Sequence, residues 1–266
     1  MKTSTPSCLW KFGFSDRKTI YLFGSIHLPA DIVKWHRNQI FRLISECDYY
    51  LGEMNLDQMS TIGLKGANIL PQGKRIVDLF PSQKHYDKIR RSIQKSFNVD
   101  IDEYRHLKPV LLQHLLDNSI SGGKDKIIDQ LLWDFAKAEG KKCSGLESVE
   151  EQIEVLNQID LEYQTKLLKT IAFNTKTYHR RIKKLIHLYN IQDVQQLYLT
   201  SSRSTGKYRK LMIYDRNKKM AKKINELKSG SYFISVGVGH LYGNEGLLAL
   251  LKREGVRLIP MSYAID

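Results

Sequence analysis

Ser231-Tyr-Phe-Ile-Ser-Val-Gly-Val-Gly-His-Leu-Tyr-Gly-Asn-Glu-Gly246 is the stretch whose reading decides the fold. Tyr232 to Val236 is an aromatic and β-branched run with strand character. It enters a glycine-rich turn that presents His240, then a helix expected over Gly246 to Arg253. A histidine just past the carboxyl end of a buried strand stands where open α/β sheets gather their chemistry. Near the other end of the chain, Tyr21-Leu-Phe-Gly-Ser-Ile-His-Leu28 follows the same plan. Gly24-x-x-His27 and Gly237-x-x-His240 are the two anchors of the reading.

Outward from these anchors, Leu9 to Gly24 reads as a strand pair divided by the turn-like Ser15-Asp16-Arg17-Lys18. Pro29-Ala30-Asp31 signals a helix start with Asp31 as N-cap, and Val33, Ile40, Ile44 and Cys47 follow at near-helical spacing. Asp48 to Met54 completes a strand-helix-strand unit, which implies parallel strands. Residues 56–75 have no clear period. Helices are expected over Ser82–Phe97, over Leu107–Leu116 and over Asp125–Glu139, the last stopped by Gly140, with a strand near 142–147. Ser148-x-x-Glu151 is a capping box that opens a mostly helical stretch to about Ser229, broken near Asn190 and around 201–206. After the second anchor come a helix, Gly255 as its stop, and the strand Val256–Pro260. The expectation is an α/β fold: a mostly parallel central sheet built from N- and C-terminal βαβ units, with a large helical insert between them. Residues 1–266 are read as a single domain with its core at 9–55 and 230–266 and a mainly helical insert at 76–229.

The length suits one large α/β domain or two small ones. Three scattered cysteines (Cys8, Cys47, Cys143) form neither a disulfide framework nor a Cys-x-x-Cys metal site. No apolar run reaches the roughly 18–20 residues needed to cross a bilayer, and the amino terminus lacks a secretory apolar core. As it stands the chain is expected to be cytoplasmic; an exported parent with its signal removed would read the same way. The net charge of +14 is confined to one segment, since residues 163–228 hold 17 Lys/Arg against Asp193, Asp215 and Glu226. That segment is either a solvated helical face or a surface for an anionic partner.

His27, Glu53, Glu147 and His240 share one structural address, each at or just past the end of an expected parallel strand. Parallel strands align their carboxyl ends on one edge, so these side chains can converge without being near in sequence. Two imidazoles with a carboxylate form a competent shell for Mn, Co, Zn or Fe, and the remaining glutamate can act as general base. A metal with an open position activates water and polarises carbonyls. His36, His85, His106, His114, His179 and His187 lie on expected helices or at their edges and have no matching partners. No Gly-x-Ser-x-Gly elbow, Walker A loop or Ser-His-Asp order occurs, and Gly237-Val-Gly-His lacks the third glycine of a dinucleotide loop.

With these motifs the chain resembles the TraB/PrgY/GumN family, which is related to the Tiki-type metalloproteases. The resemblance is carried by Leu9-Trp10, Phe23-Gly-Ser-Ile-His-Leu28, Glu53, Gly145-Leu-Glu-Ser-x-Glu-Glu-Gln152, Asp215-Arg-Asn217 and Val236-Gly-Val-Gly-His-Leu-Tyr-Gly243. It covers essentially the whole chain. It implies a metal-dependent hydrolase or peptidase whose activated water attacks a peptide or related amide or ester bond. His27, Glu53 and His240 then fall on the family's core motif and metal site, and Glu147, Arg216 and Asn217 in the pocket. The residues themselves suggest Glu53 and Glu147 as catalytic carboxylates and Gly24, Gly237 and Gly239 as turns that bring backbone N–H groups close to a substrate. The Arg216 fork suits a substrate carboxylate. Ser25 stands where Thr is usual in the family, and the export signal of many bacterial members is not visible. Two alternatives stand beside this reading. One is a non-catalytic regulatory protein that binds a peptide or small molecule in the same crevice, and the other is nucleic-acid binding through 163–228.

Overall fold

The computed structural model describes residues 7–15, 18–58, 68–202 and 205–262. Its strands are β1 (Leu9–Ser15), β2 (Lys18–Ser25), β3 (Tyr49–Met54), β4 (Lys142–Glu147), β5 (Gly230–Gly237) and β6 (Ile259–Pro260). The helices include α1 (Arg37–Ser45), α2 (Gln83–Phe97), α3 (Pro109–Ser121), α4 (Ile128–Ala138) and α5 (Val149–Asn157). After them come α6 (Leu161–Phe173), α7 (Thr175–Asn190), α8 (Val194–Ser202), α9 (Asp215–Asn225) and α10 (Leu247–Arg253). The chain divides into two compact units, one of residues 1–56, 125–148 and 185–266, the other of 57–124 and 149–184.

The first unit is the α/β part. Its sheet has the order β4-β3-β5-β2-β1-β6. Tyr232 to Val236 are five consecutive buried residues, and such a run requires cover on both faces and a partner on each side. β5 accordingly sits between β2 and β3, parallel to both, and β4 continues the parallel run beside β3. The two βαβ units therefore interleave: the C-terminal strand separates β2 from β3. β1 is antiparallel to β2, and β6 antiparallel to β1, so β6 again points the same way as β5. β6 is only Ile259–Pro260 rather than the expected 256–260; Pro260 has no N–H to give and is confined to the edge. Asp16 and Arg17 of the expected β1–β2 turn lie outside the described residues, as do residues 59–67 of the stretch without a period.

The helix expected from Asp31 begins only at Arg37. The intervening segment is held by other bonds: Pro29 bridges Ile127, the Ala30 N–H donates to Lys126 O at 3.0 Å, and Trp35 Nε1 donates to Ala30 O at 3.1 Å. His36, at φ 50°, then sets the left-handed corner from which α1 starts. α1 buries Ile40, Leu43 and Ile44, and α4 buries Ile128, Leu132, Trp133 and Ala136. Each fully buried large apolar side chain contributes about 1.5–3 kcal/mol. Phe41 and Phe135 stack between the two helices at 3.9 Å.

The second unit is helical. Ser82 caps α2, as its position after Pro81 leads one to expect. Tyr86, Ile89, Ile93 and Phe97 form one buried stripe along that helix. α3 runs to Ser121, past the expected Leu116, and ends at the left-handed Gly122. Leu112 and Leu116 of α3 are fully buried, and α3 and α2 both pack on α6. Among the described residues no helix is long and apolar enough to cross a membrane.

Candidate functional site

Because β2 and β5 are parallel and in register, Gly24 pairs with Val236 and Ser25 with Gly237. The two Gly-x-x-His turns therefore leave the sheet side by side. Gly24 is required by close approach: a Cβ there would stand 2.6 Å from Leu241 Cδ1 and 3.3 Å from Val238 Cα, so the second turn folds down over the end of β2. A Cβ on Gly237 would stand 3.0 Å from Glu53 Oε1. Its absence admits the carboxylate, and the Gly237 N–H donates to Glu53 Oε1 at 2.6 Å.

Glu53 and Glu147 come from the ends of neighbouring β3 and β4. Between them lies Arg216, from the first turn of α9. Its Nε donates to both oxygens of Glu147 at 3.0 Å, and its Nη2 to Glu147 Oε2 at 2.5 Å and Glu53 Oε2 at 2.9 Å. Nη1 turns back to Met212 O at 3.3 Å. The Glu147 side chain is 1% exposed. A buried carboxylate needs a counter-charge, and Arg216 spends its fork on the protein's own glutamates. Burial pushes the Glu53 carboxyl up, but the facing His240, Arg216 and the Gly237 N–H outweigh it and hold it down to about 2.

Asn217, the next residue, is fully buried. Its Nδ2 donates to His240 O at 3.2 Å and to Glu245 O at 2.6 Å, which leaves Oδ1 as an acceptor 2.7 Å from His240 Nδ1. This network places the proton on Nδ1 of neutral His240 and the lone pair on Nε2. Burial pushes the imidazole down to about 4, despite the opposing Glu53 charge. Nε2 lies 3.6 Å from Glu53 Oε1, so two electron-pair donors face each other.

His27 has a different setting. Its Nδ1 lies 2.8 Å from Asp129 Oδ2, and the buried Ser25 donates to Asp129 Oδ1 at 2.6 Å. Burial pulls the His27 imidazole down, but the Asp129 charge and hydrogen bond win and raise it to about 9. The ring is nevertheless 57% exposed: it is set among protein atoms but open on one side. Asp129, in the first turn of α4, is a site residue that the sequence reading did not single out.

The fit to a metal is therefore partial. His240 Nε2 and Glu53 Oε1 are adjacent donors of suitable chemistry, while His27 is drawn to Asp129. Among the described residues no three His, Cys, Asp or Glu side chains are gathered closely enough to hold a metal ion. A Cβ on Gly239 would stand 3.4 Å from Ser201 Oγ.

A parallel sheet edge carrying paired Gly-x-x-His turns and carboxylates is the arrangement of an α/β protein whose chemistry gathers at its strand ends. The chain matches the TraB/PrgY/gumN family over residues 8–260 and belongs to it. It is similar to Metalloprotease TIKI1 of Danio rerio, at 23% identity over 88% of this chain and 59% of that protein. It is also similar to Metalloprotease TIKI2 of Danio rerio (24%, 88% and 57%) and Metalloprotease TIKI1 of Homo sapiens (22%, 88% and 58%). The chain thus spans less than two thirds of the length of these relatives. No solved structure matches it.

Proposed function

We propose that the chain is a hydrolase of peptide or related amide or ester bonds, dependent on a divalent metal, with its reaction centre at Glu53 and His240. The observation that carries this reading is the pairing of His240 Nε2 with Glu53 Oε1 at 3.6 Å, with Asn217 fixing the tautomer on one side and Arg216 the charge on the other. The metalloprotease names of the relatives support it. His240 and Glu53 would hold the metal (Mn, Co, Zn or Fe), with His27 as the third candidate. A metal there would supply a polarised carbonyl or an activated water.

The protein's own groups have distinct parts in this reading. Asn217 aims His240 Nε2 into the crevice, and the Gly237 N–H and Arg216 hold Glu53 ionised and in place. Glu147 anchors Arg216 from behind, so its part is positioning, and Arg216 serves the carboxylates in preference to a substrate. Asp129 orients His27, which when charged can attract an anionic substrate group. Gly24 and Gly237 let the His240 turn and the Glu53 carboxylate close up against the strand ends. The uninterrupted family match over 8–260 supports taking 1–266 as one functional domain.

The test is metal analysis of protein purified without chelator, together with turnover of a peptide mixture. Stoichiometric metal that is lost in folded His240→Ala and Glu53→Gln, along with cleavage, is the expected result. Ligand binding that survives metal removal, without turnover, would favour the non-catalytic reading instead. Steeply salt-dependent binding of nucleic acid would favour the basic segment 163–228 as the working surface.

A further inference from the structure

Beside the His240 turn lies a cavity that the site described above does not use. It encloses about 300 Å³, its open mouth included, and is lined by Tyr198, Ser201, Thr205, Arg209, Ile213 and Gly239. Its wall is almost wholly apolar, so Arg209 contributes its methylene stem and carries its charge elsewhere. Much of that volume is open mouth; the cavity proper is about 60 Å³, room for no more than one side chain.

Two features tie this cavity to the reaction centre. Gly239 forms part of its wall and is the residue before His240, about 3.8 Å away along the chain. Ile213 and Arg209 flank or belong to a π-helical turn, Lys210–Tyr214, which leads directly into Asp215, Arg216 and Asn217. Wide turns of this kind recur at functional sites because they push side chains out of the regular helical ladder. The pocket's far wall is fixed too: Tyr198 is hydrogen-bonded to Tyr214, and Gly243, at φ 89°, leaves no room for a Cβ against the Tyr198 ring. One wall is thus joined along the chain to His240 and the other to Arg216 and Asn217.

We propose that this pocket is the subsite that receives an aliphatic side chain of the peptide substrate, next to the bond presented to Glu53 and His240. The inference rests on the peptide-hydrolase reading above. Gly239 is small because its face is the floor of the subsite. Ile213 and Ser201 set its depth from opposite sides.

The test uses the full chain, metal-loaded, on a peptide library varied at each position around the cleaved bond, with products read by mass spectrometry. Wild type should favour Leu, Ile or Met at one position. Ile213→Trp and Ser201→Leu, each checked for fold by circular dichroism, should shift that preference to Gly or Ala by at least about tenfold. Cleavage by both folded variants with an unchanged profile would overturn the subsite and leave the hydrolase reading intact. In parallel, N-acetyl-leucinamide is titrated while the labelled Ile213 methyl is followed by NMR. A saturable shift, stronger than with N-acetyl-glycinamide, supports the subsite even if wild type cleaves nothing, in which case the hydrolase reading is the one that falls. An unmoved methyl overturns the subsite.

Discussion

The two Gly-x-x-His turns share a spacing, a strand type and a sheet edge, yet their histidines are chemically unlike. His240 is 6% exposed, faces the amide oxygen of Asn217, and is held neutral with its lone pair on Nε2. His27 is more than half exposed, faces the carboxylate of Asp129, and is held protonated near neutrality. The motif fixes where an imidazole stands. Its state is decided by a partner from another element, α9 for one turn and α4 for the other. An amide acceptor with a fixed orientation selects a tautomer, whereas a carboxylate selects a charge.

The largest effect should come from removing the cation behind the β5 turn. Arg216→Met leaves Glu147 and Glu53 buried without their partner, and breaking such a pair costs about 3–5 kcal/mol. Urea unfolding should show that loss, and the double variant Arg216→Met/Glu147→Leu should recover much of it. The His27–Asp129 pair should survive in the single variant. If both turns lose order together, the contrast between them is wrong. Next in size is Asn217→Leu, which strands the carbonyls of His240 and Glu245 and should cost about 1–3 kcal/mol. Its sharper readout is the ¹⁵N spectrum of His240, which should pass from a single Nδ1–H tautomer to a mixture. An unchanged spectrum would mean that burial alone sets the tautomer.

Much of this architecture can be read from the chain, and the remainder has identifiable physical reasons for being hidden. The run Tyr232-Phe-Ile-Ser-Val236, apolar but for Ser235, announces a central strand, and the repeated Gly-x-x-His turn announces the working edge. The place of β5 between β2 and β3 is not written locally, because strand order comes from pairing between residues 183 and 212 positions apart, as in Tyr49 with Tyr232 and Gly24 with Val236. Asp31 looks like an N-cap, but a bridge from Pro29 to Ile127 takes that segment out of the helix. Asp129 carries no mark either, since a carboxylate in the first turn of a helix is an ordinary way to meet the helix dipole. Arg216 was legible as an anion binder; that its anion is the protein's own Glu147 depends on a burial visible only once β4 is packed beside β3.

The smallest effect concerns pH, and it separates the two histidines most cleanly in chelator-treated protein. An unfolded histidine titrates near about 6.5. His27 is raised to about 9 in the folded chain, so its contribution to stability is complete below pH ~6.5 and is lost as the pH rises through about 9. His240 is lowered to about 4; between that value and pH ~6.5 the unfolded chain binds the extra proton, so stability falls as the pH drops. The two turns therefore tilt stability in opposite directions on either side of pH ~6.5. Asp129→Asn should remove only the alkaline arm. Urea midpoints of wild type and variant should differ most below pH ~6.5 and converge above pH ~9, while the NMR titration of the His27 ring moves down by more than one pH unit. The exposed ring keeps the effect on stability modest, because solvent screens the pair. A difference between the two proteins that grows with pH would mean that the Asp129 carboxylate serves α4 and not His27, and the asymmetry of the two turns would then have to come from burial alone.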